Sequence, residues 1–64
     1  MIVELVDEAG SSIGRFQSPA VPRRDEQVSY AGERYAVDDV TWFVETRHDQ
    51  NIQMVRLVVR PLEQ

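Results

Sequence analysis

The chain has no cysteine and no lysine, a single histidine, and three glycines that stand apart from one another. Without cysteine there is no disulfide framework to reinforce a thin core and no thiolate metal site. With only His48 as a nitrogen ligand, a zinc site would have to be built from carboxylates. Gly10, Gly14 and Gly32 are too scattered to form a phosphate-cradling loop. Long apolar runs are missing as well. The longest are tripeptides such as Trp42-Phe43-Val44 and Leu57-Val58-Val59, far from the ~20 residues that cross a bilayer. No signal-peptide pattern follows Met1. The expectation is a soluble, cytoplasmic chain with no membrane association, encoded as a complete short reading frame.

A chain of 64 residues forms one domain, here taken as residues 1–64. Its folded form buries only ~60% of the surface its unfolded form exposes, so the core is a single layer of side chains. Eleven acidic residues against seven basic ones leave a net charge of −4. All seven basic residues are arginine, which suits bidentate recognition but is equally what GC-rich coding produces. The signs are interspersed, Asp7-Glu8, Asp25-Glu26 and Asp38-Asp39 against Arg23-Arg24, Arg56 and Arg60. Such mixing solvates a surface and steers no particular ligand. The acidic balance argues against non-specific nucleic-acid binding, which needs clustered cations.

Alternation of apolar and polar residues gives the elements. Residues 2–6 read as a strand, Asp7 to Ser12 as turn chemistry, and residues 13–17 as the returning strand, weakened or bulged at Gly14. Pro19 and Pro22 make residues 18–22 a loop, because neither can donate to a ladder. A hairpin follows. With Gly32-Glu33 as a type II′ turn, Tyr30 would face Tyr35 and Val28 would face Val37. Tyr35 and Val37 are odd-numbered, whereas Val40, Trp42 and Val44 are even. Keeping both sets on one face requires an extra residue, so a β-bulge is expected at Asp38-Asp39. Residues 46–51 are entirely polar and read as a loop. The last strand, residues 52–60, points Val55, Leu57 and Val59 inward and Met54, Arg56 and Arg60 outward, up to Pro61. No segment carries a helical period. The chain therefore reads as all-β, with five or six strands.

Catalytic groups are scarce. His48-Asp49 is a base beside a carboxylate, but adjacent loop residues rarely make the geometry of a catalytic pair, and no serine lies in a nucleophile elbow. Asp38-Asp39 point to opposite faces if extended and lack the oxygen-ligand series a calcium or magnesium site needs. The sequence gives no reason to expect an enzyme, a cofactor or a metal. The aromatic residues Phe16, Tyr30, Tyr35, Trp42 and Phe43 carry more weight. By parity Trp42 goes to the core with Val40 and Val44. Phe43 is left outward between Thr41 and Glu45, as a contact residue for a partner.

Pro22-Arg23-Arg24-Asp25-Glu26-Gln27-Val28, followed by Tyr30, Gly32, Tyr35, Val37, Val40 and Trp42, resembles a pattern of small SH3-like β-barrel proteins of bacterial, phage or prophage origin. The resemblance spans residues 21–44, and Asp25 stands where the pattern has its leading glycine. It implies a small five- or six-stranded, SH3-like, partly open barrel that binds rather than catalyses. The function expected is a non-catalytic protein-binding or assembly module, such as a phage-encoded or phage-derived accessory or inhibitory factor. Its contact residues would be Phe43, Arg23, Arg24 and Arg56, and homo-oligomerisation through an edge strand is a second route to a partner. The alternative is a nucleic-acid-binding SH3-like barrel, with Arg23 and Arg24 near Tyr30, or Arg56 and Arg60 near Phe43, supplying the basic and aromatic face.

Overall fold

The computed structural model describes residues 1–62, which form five strands: β1 (Ile2–Val6), β2 (Ser12–Gln17), β3 (Gln27–Tyr30), β4 (Glu33–Arg47) and β5 (Gln50–Pro61). They make one sheet in the order β2-β1-β5-β4-β3, antiparallel throughout except where β1 runs parallel to β5. The sheet curls into a partly open half-barrel. Phe16 on one outer strand and Tyr30 on the other meet across the opening, their rings stacked at 5.9 Å. This is the all-β, five-stranded, partly open architecture expected, consistent with a small SH3-like barrel. No helix is found among the described residues.

The concave face carries the core. Val3 and Leu5 of β1, Val37 of β4, and Val55, Leu57 and Val59 of β5 are fully buried there. Ile13, Phe16, Val21, Val28, Tyr30, Tyr35 and Val40 pack around them. β5 is the central strand: Val55, Leu57 and Val59 all lie inward, as periodicity predicts, whereas Met54, expected outward, is buried on the other face beside Phe43. Each such side chain contributes roughly 1.5–3 kcal/mol of burial free energy. Tyr30 reaches so far over β2 that a methyl group on Gly14 would lie 2.5 Å from its Cζ. Gly14 is therefore demanded by packing, while the neighbouring register slips between Leu5 and Val6 at Ile13.

Each turn has a local cause. Asp7 closes the first by accepting backbone N–H bonds from Ala9 and Ser11 through Oδ1, both at 2.9 Å, with Gly10 at a φ of 86°. The bend at residues 23–26 is closed by the Glu26 N–H on the Arg23 carbonyl, 3.0 Å, with Asp25 at a φ of 71°. A positive φ at the third position, following a residue without one, is the pattern of a type II turn. Asp25 thus adopts a left-handed conformation, one that glycine takes more readily than a residue with a side chain.

Three local expectations are corrected. The second hairpin turns at Ala31-Gly32, not Gly32-Glu33, so Val28 faces Tyr35 and Tyr30 faces Glu33. Both turn residues have positive φ, 52° and 82°, which makes the turn type I′. Residues 46–51 are not an open loop. β4 continues to Arg47, β5 begins at Gln50, and His48-Asp49 alone form the turn, at φ values of 50° and 62°. Trp42 lies on the concave face by parity, opposite Val55, yet is 53% exposed rather than buried. The expected bulge is present: the β4–β5 register shifts between Val37 and Asp39.

Candidate functional site

The long β4–β5 hairpin outruns its neighbours, and that builds the site. β3 covers β4 only at Gln27↔Ala36 through Tyr30↔Glu33. Asp25 and Glu26 then bond the Val37 backbone, both at 2.9 Å. Among the described residues no strand lies beside the outer edge of β4 from Asp38 to Arg47.

Which backbone groups that edge presents follows from the hairpin. Arg47 and Gln50 flank a two-residue turn and so exchange both their hydrogen bonds; bonding to β5 then alternates along the strand. Glu45, Phe43 and Thr41 face β5, whereas Thr46, Val44, Trp42 and Val40 turn their N–H and C=O groups to the free edge. The Val40 N–H accordingly meets Asp39 Oδ1 at 3.0 Å, closing the edge next to the bulge. Beyond it, Trp42, Val44 and Thr46 present unpaired main-chain groups, with Trp42 and Val44 53% and 60% exposed. A long edge of this kind, with large apolar side chains on it, is a template for another strand.

Beside the edge, Trp42 and Val40 line an open cleft of ≈ 400 Å³ with Val21, Pro22, Arg23, Arg24 and Asp39. The proline-containing connection places it. Pro22 leads into the type II turn, and the turn holds the exposed Arg23 and Arg24 over the concave side of β4. Glu26 Oε1 accepts the Arg23 N–H at 2.6 Å and fixes that bend.

Phe43 and Arg56 lie on the opposite, convex face. The Arg56 guanidinium stands 4.8 Å above the Phe43 ring, and Phe43 is half-buried beside the buried Met54. Arg56 also donates from Nε to Glu4 Oε1 at 2.8 Å, and Arg15 reaches Glu4 Oε2 from the other side at 3.0 Å. Glu4 is only 6% exposed, a buried carboxylate held between two half-exposed arginines. The Arg56 hydrogen bond holds its carboxyl below the ordinary 4.5, against the upward push of burial and with further help from Arg15. Burying a carboxylate without such partners would cost several kcal/mol.

The four sequence-derived contact residues therefore fall into two groups. Phe43 and Arg56 are together on the convex face; Arg23 and Arg24 are on the concave side with Trp42. Sequence reasoning expected pairing through an edge strand but did not locate that edge on β4. Its signal was the polar stretch 46–51, in which Thr46 and Asn51 could already have been read as a cross-strand pair; their side chains bond at 2.9 Å. No group of three His, Asp or Glu side chains among the described residues is arranged to hold a metal ion. No helix among them is long and apolar enough to cross a membrane. Comparisons with known protein families, with curated proteins and with solved structures find no match for this chain.

Proposed function

We propose that the protein is a non-catalytic protein-binding module that takes an extended segment of its partner as an added strand on the edge of β4. The observation that carries this is the coincidence, from Trp42 to Thr46, of unpaired outward main-chain groups with the exposed Trp42 and Val44 side chains. Main-chain bonds would supply affinity in such a complex, and alternate side chains would supply selectivity. Trp42 and Val44 would be the apolar anchors on the concave side, with Arg23 and Arg24 at the rim of the adjoining cleft and Phe43 with Arg56 on the convex side. The nucleic-acid alternative has less support, since Asp39 lies in the cleft with Arg23 and Arg24, and Arg56 and Arg15 are both paired with Glu4.

The test is capture of partners on the immobilised protein, with nuclease present, compared between the native chain and Val44→Pro. Proline at this position removes an outward N–H without touching the β4–β5 ladder, as edge strands tolerate. A protein retained by the native chain and lost by the folded variant supports strand addition. Retention by both places the contact elsewhere. Material that disappears with nuclease, and whose binding falls steeply with salt, favours the nucleic-acid barrel.

A further inference from the structure

We propose that the strand added to β4 is the β4 of a second copy, giving a two-fold dimer whose axis passes between the two Phe43 residues. The proposal rests on the strand-addition reading of the same edge and names its occupant.

Antiparallel pairing of an edge with itself about a two-fold axis restricts the choices. A residue whose main-chain groups point outward must meet another such residue, and residues opposite each other share a face. With the axis at Phe43, Trp42 stands opposite Val44 of the second copy, and Val44 opposite its Trp42. Both residues turn their main-chain groups outward, so each Trp42–Val44 pair exchanges its full complement of hydrogen bonds. The two most exposed large apolar side chains among the described residues then cover one another on the concave side. Val40 falls opposite Thr46, and Thr41 opposite Glu45. Asp39, at the rim of the cleft with its carboxylate turned to the edge, falls opposite Arg47, twice by symmetry. Asp39 is exposed with one carboxylate oxygen on the Val40 N–H, so its second oxygen is available, and Arg47 is held extended along the strand by Glu45 at 2.6 Å.

The neighbouring allowed register, with the axis at Trp42, sets Asp39 against Glu45 and brings like charges face to face. The next one towards the turn, with the axis at Val44, sets Val40 against His48, in the turn itself at a φ of 50°. Like charges against the one and the turn against the other thus favour the Phe43-centred register over its two neighbours. The short β3 fits the same reading, because it ends before this stretch and leaves room for a strand from another molecule. The bulge at Asp38 and the Asp39 cap on Val40 close the edge at its inner end. The pairing is therefore isologous and finite rather than open-ended.

Sedimentation equilibrium of the full chain over about a thousandfold range of concentration reads the stoichiometry directly. The expected result is a reversible species of twice the 7.4 kDa monomer mass. Val44→Pro should sediment as a folded monomer, its sheet confirmed by circular dichroism. Because that variant could also lose its fold, charge reversal at exposed positions gives an independent reading. Asp39→Arg and Arg47→Asp should each weaken dimerisation about tenfold, two exposed pairs turning from attraction to repulsion. The double variant should return to within about threefold of the native dissociation constant. A native chain that stays monomeric throughout overturns the dimer. If Val44→Pro then still abolishes capture of another protein, strand addition stands with a different occupant. A dimer that survives Val44→Pro, or one in which the double reversal fails to rescue the single ones, overturns the proposed interface and its register.

Discussion

Adding one methyl group at Gly14 isolates the contact that closes the half-barrel. A Cβ at this position would lie 2.5 Å from Tyr30 Cζ and 2.7 Å from Cε2, where ordinary contact begins at 3.4 Å. The ring cannot rotate away from the clash, because Cζ lies on its own axis. It must recede bodily, and in doing so it disturbs its stack on Phe16 at 5.9 Å. Overpacking of this kind costs about 1–3 kcal/mol, and loss of an aromatic pair adds ~0.5–1.5 kcal/mol. Against these stands a gain of roughly 0.5–1 kcal/mol from replacing glycine by alanine within a strand. Gly14→Ala should therefore destabilise by about 1–3 kcal/mol, out of a total of ~3–10 kcal/mol for a domain of this length. The melting temperature would fall by roughly 5–20 °C. Urea unfolding followed by Trp42 fluorescence, with circular dichroism as the second probe, measures the difference. The decisive comparison is in a Tyr30→Leu background, which lacks the clashing atoms. There Gly14→Ala should be neutral or slightly stabilising. If the substitution costs as much in both backgrounds, Tyr30 is not what excludes a side chain from position 14, and the account of how the edges meet is wrong.

Two further predictions concern local strain and the buried carboxylate. Asp25 sits at a φ of 71° at the third position of its turn, so Asp25→Gly should stabilise the fold by ~0.5–1 kcal/mol, as relief of left-handed strain outweighs glycine's extra chain entropy; a lower urea midpoint would contradict this. Glu4 is held by Arg56 and Arg15 with its folded pKa below the ordinary 4.5. A depressed carboxyl stabilises the folded state fully above that ordinary value and loses the contribution as pH falls through the folded one. Glu4→Gln should thus cost ~1–2 kcal/mol at neutral pH, less than a fully buried pair because both arginines are half-exposed. The gap from the native chain should close below pH 4.5; an equal gap at pH 3 and pH 7 would mean that the charge of Glu4 is not what matters.

Much of the fold was legible because β-sheet side chains have a strict period of two. β5 at the centre of the sheet shows it in Val55, Leu57 and Val59, and the change of parity between Val37 and Val40 marks the bulge. The turns were less legible. The type I′ turn at Ala31-Gly32 needs an alanine at a φ of 52°, which no propensity favours, so the sequence pointed one residue too far along. At residues 46–51 polarity suggests a loop where the structure has strand ends and a two-residue turn. A hairpin projecting beyond its sheet is wetted on both faces, so its strands carry the composition of a turn.

The candidate site lies where this local information ends. By itself the sequence determined the class of fold, the inward set of β5, the bulge and the face to which Trp42 belongs, because each follows from alternation along a single strand. Whether that face is covered depends on how far a different strand reaches. β3 stops opposite Ala36, and so Trp42 is exposed on a strand edge instead of buried in the core. The same holds for Glu4, buried because Arg15 and Arg56 close over it from strands on either side, and for Gly14, fixed by Tyr30 from the far edge of the sheet. Only the tertiary structure decided these, since each rests on residues that pairing across the sheet, and not position along the chain, brings together.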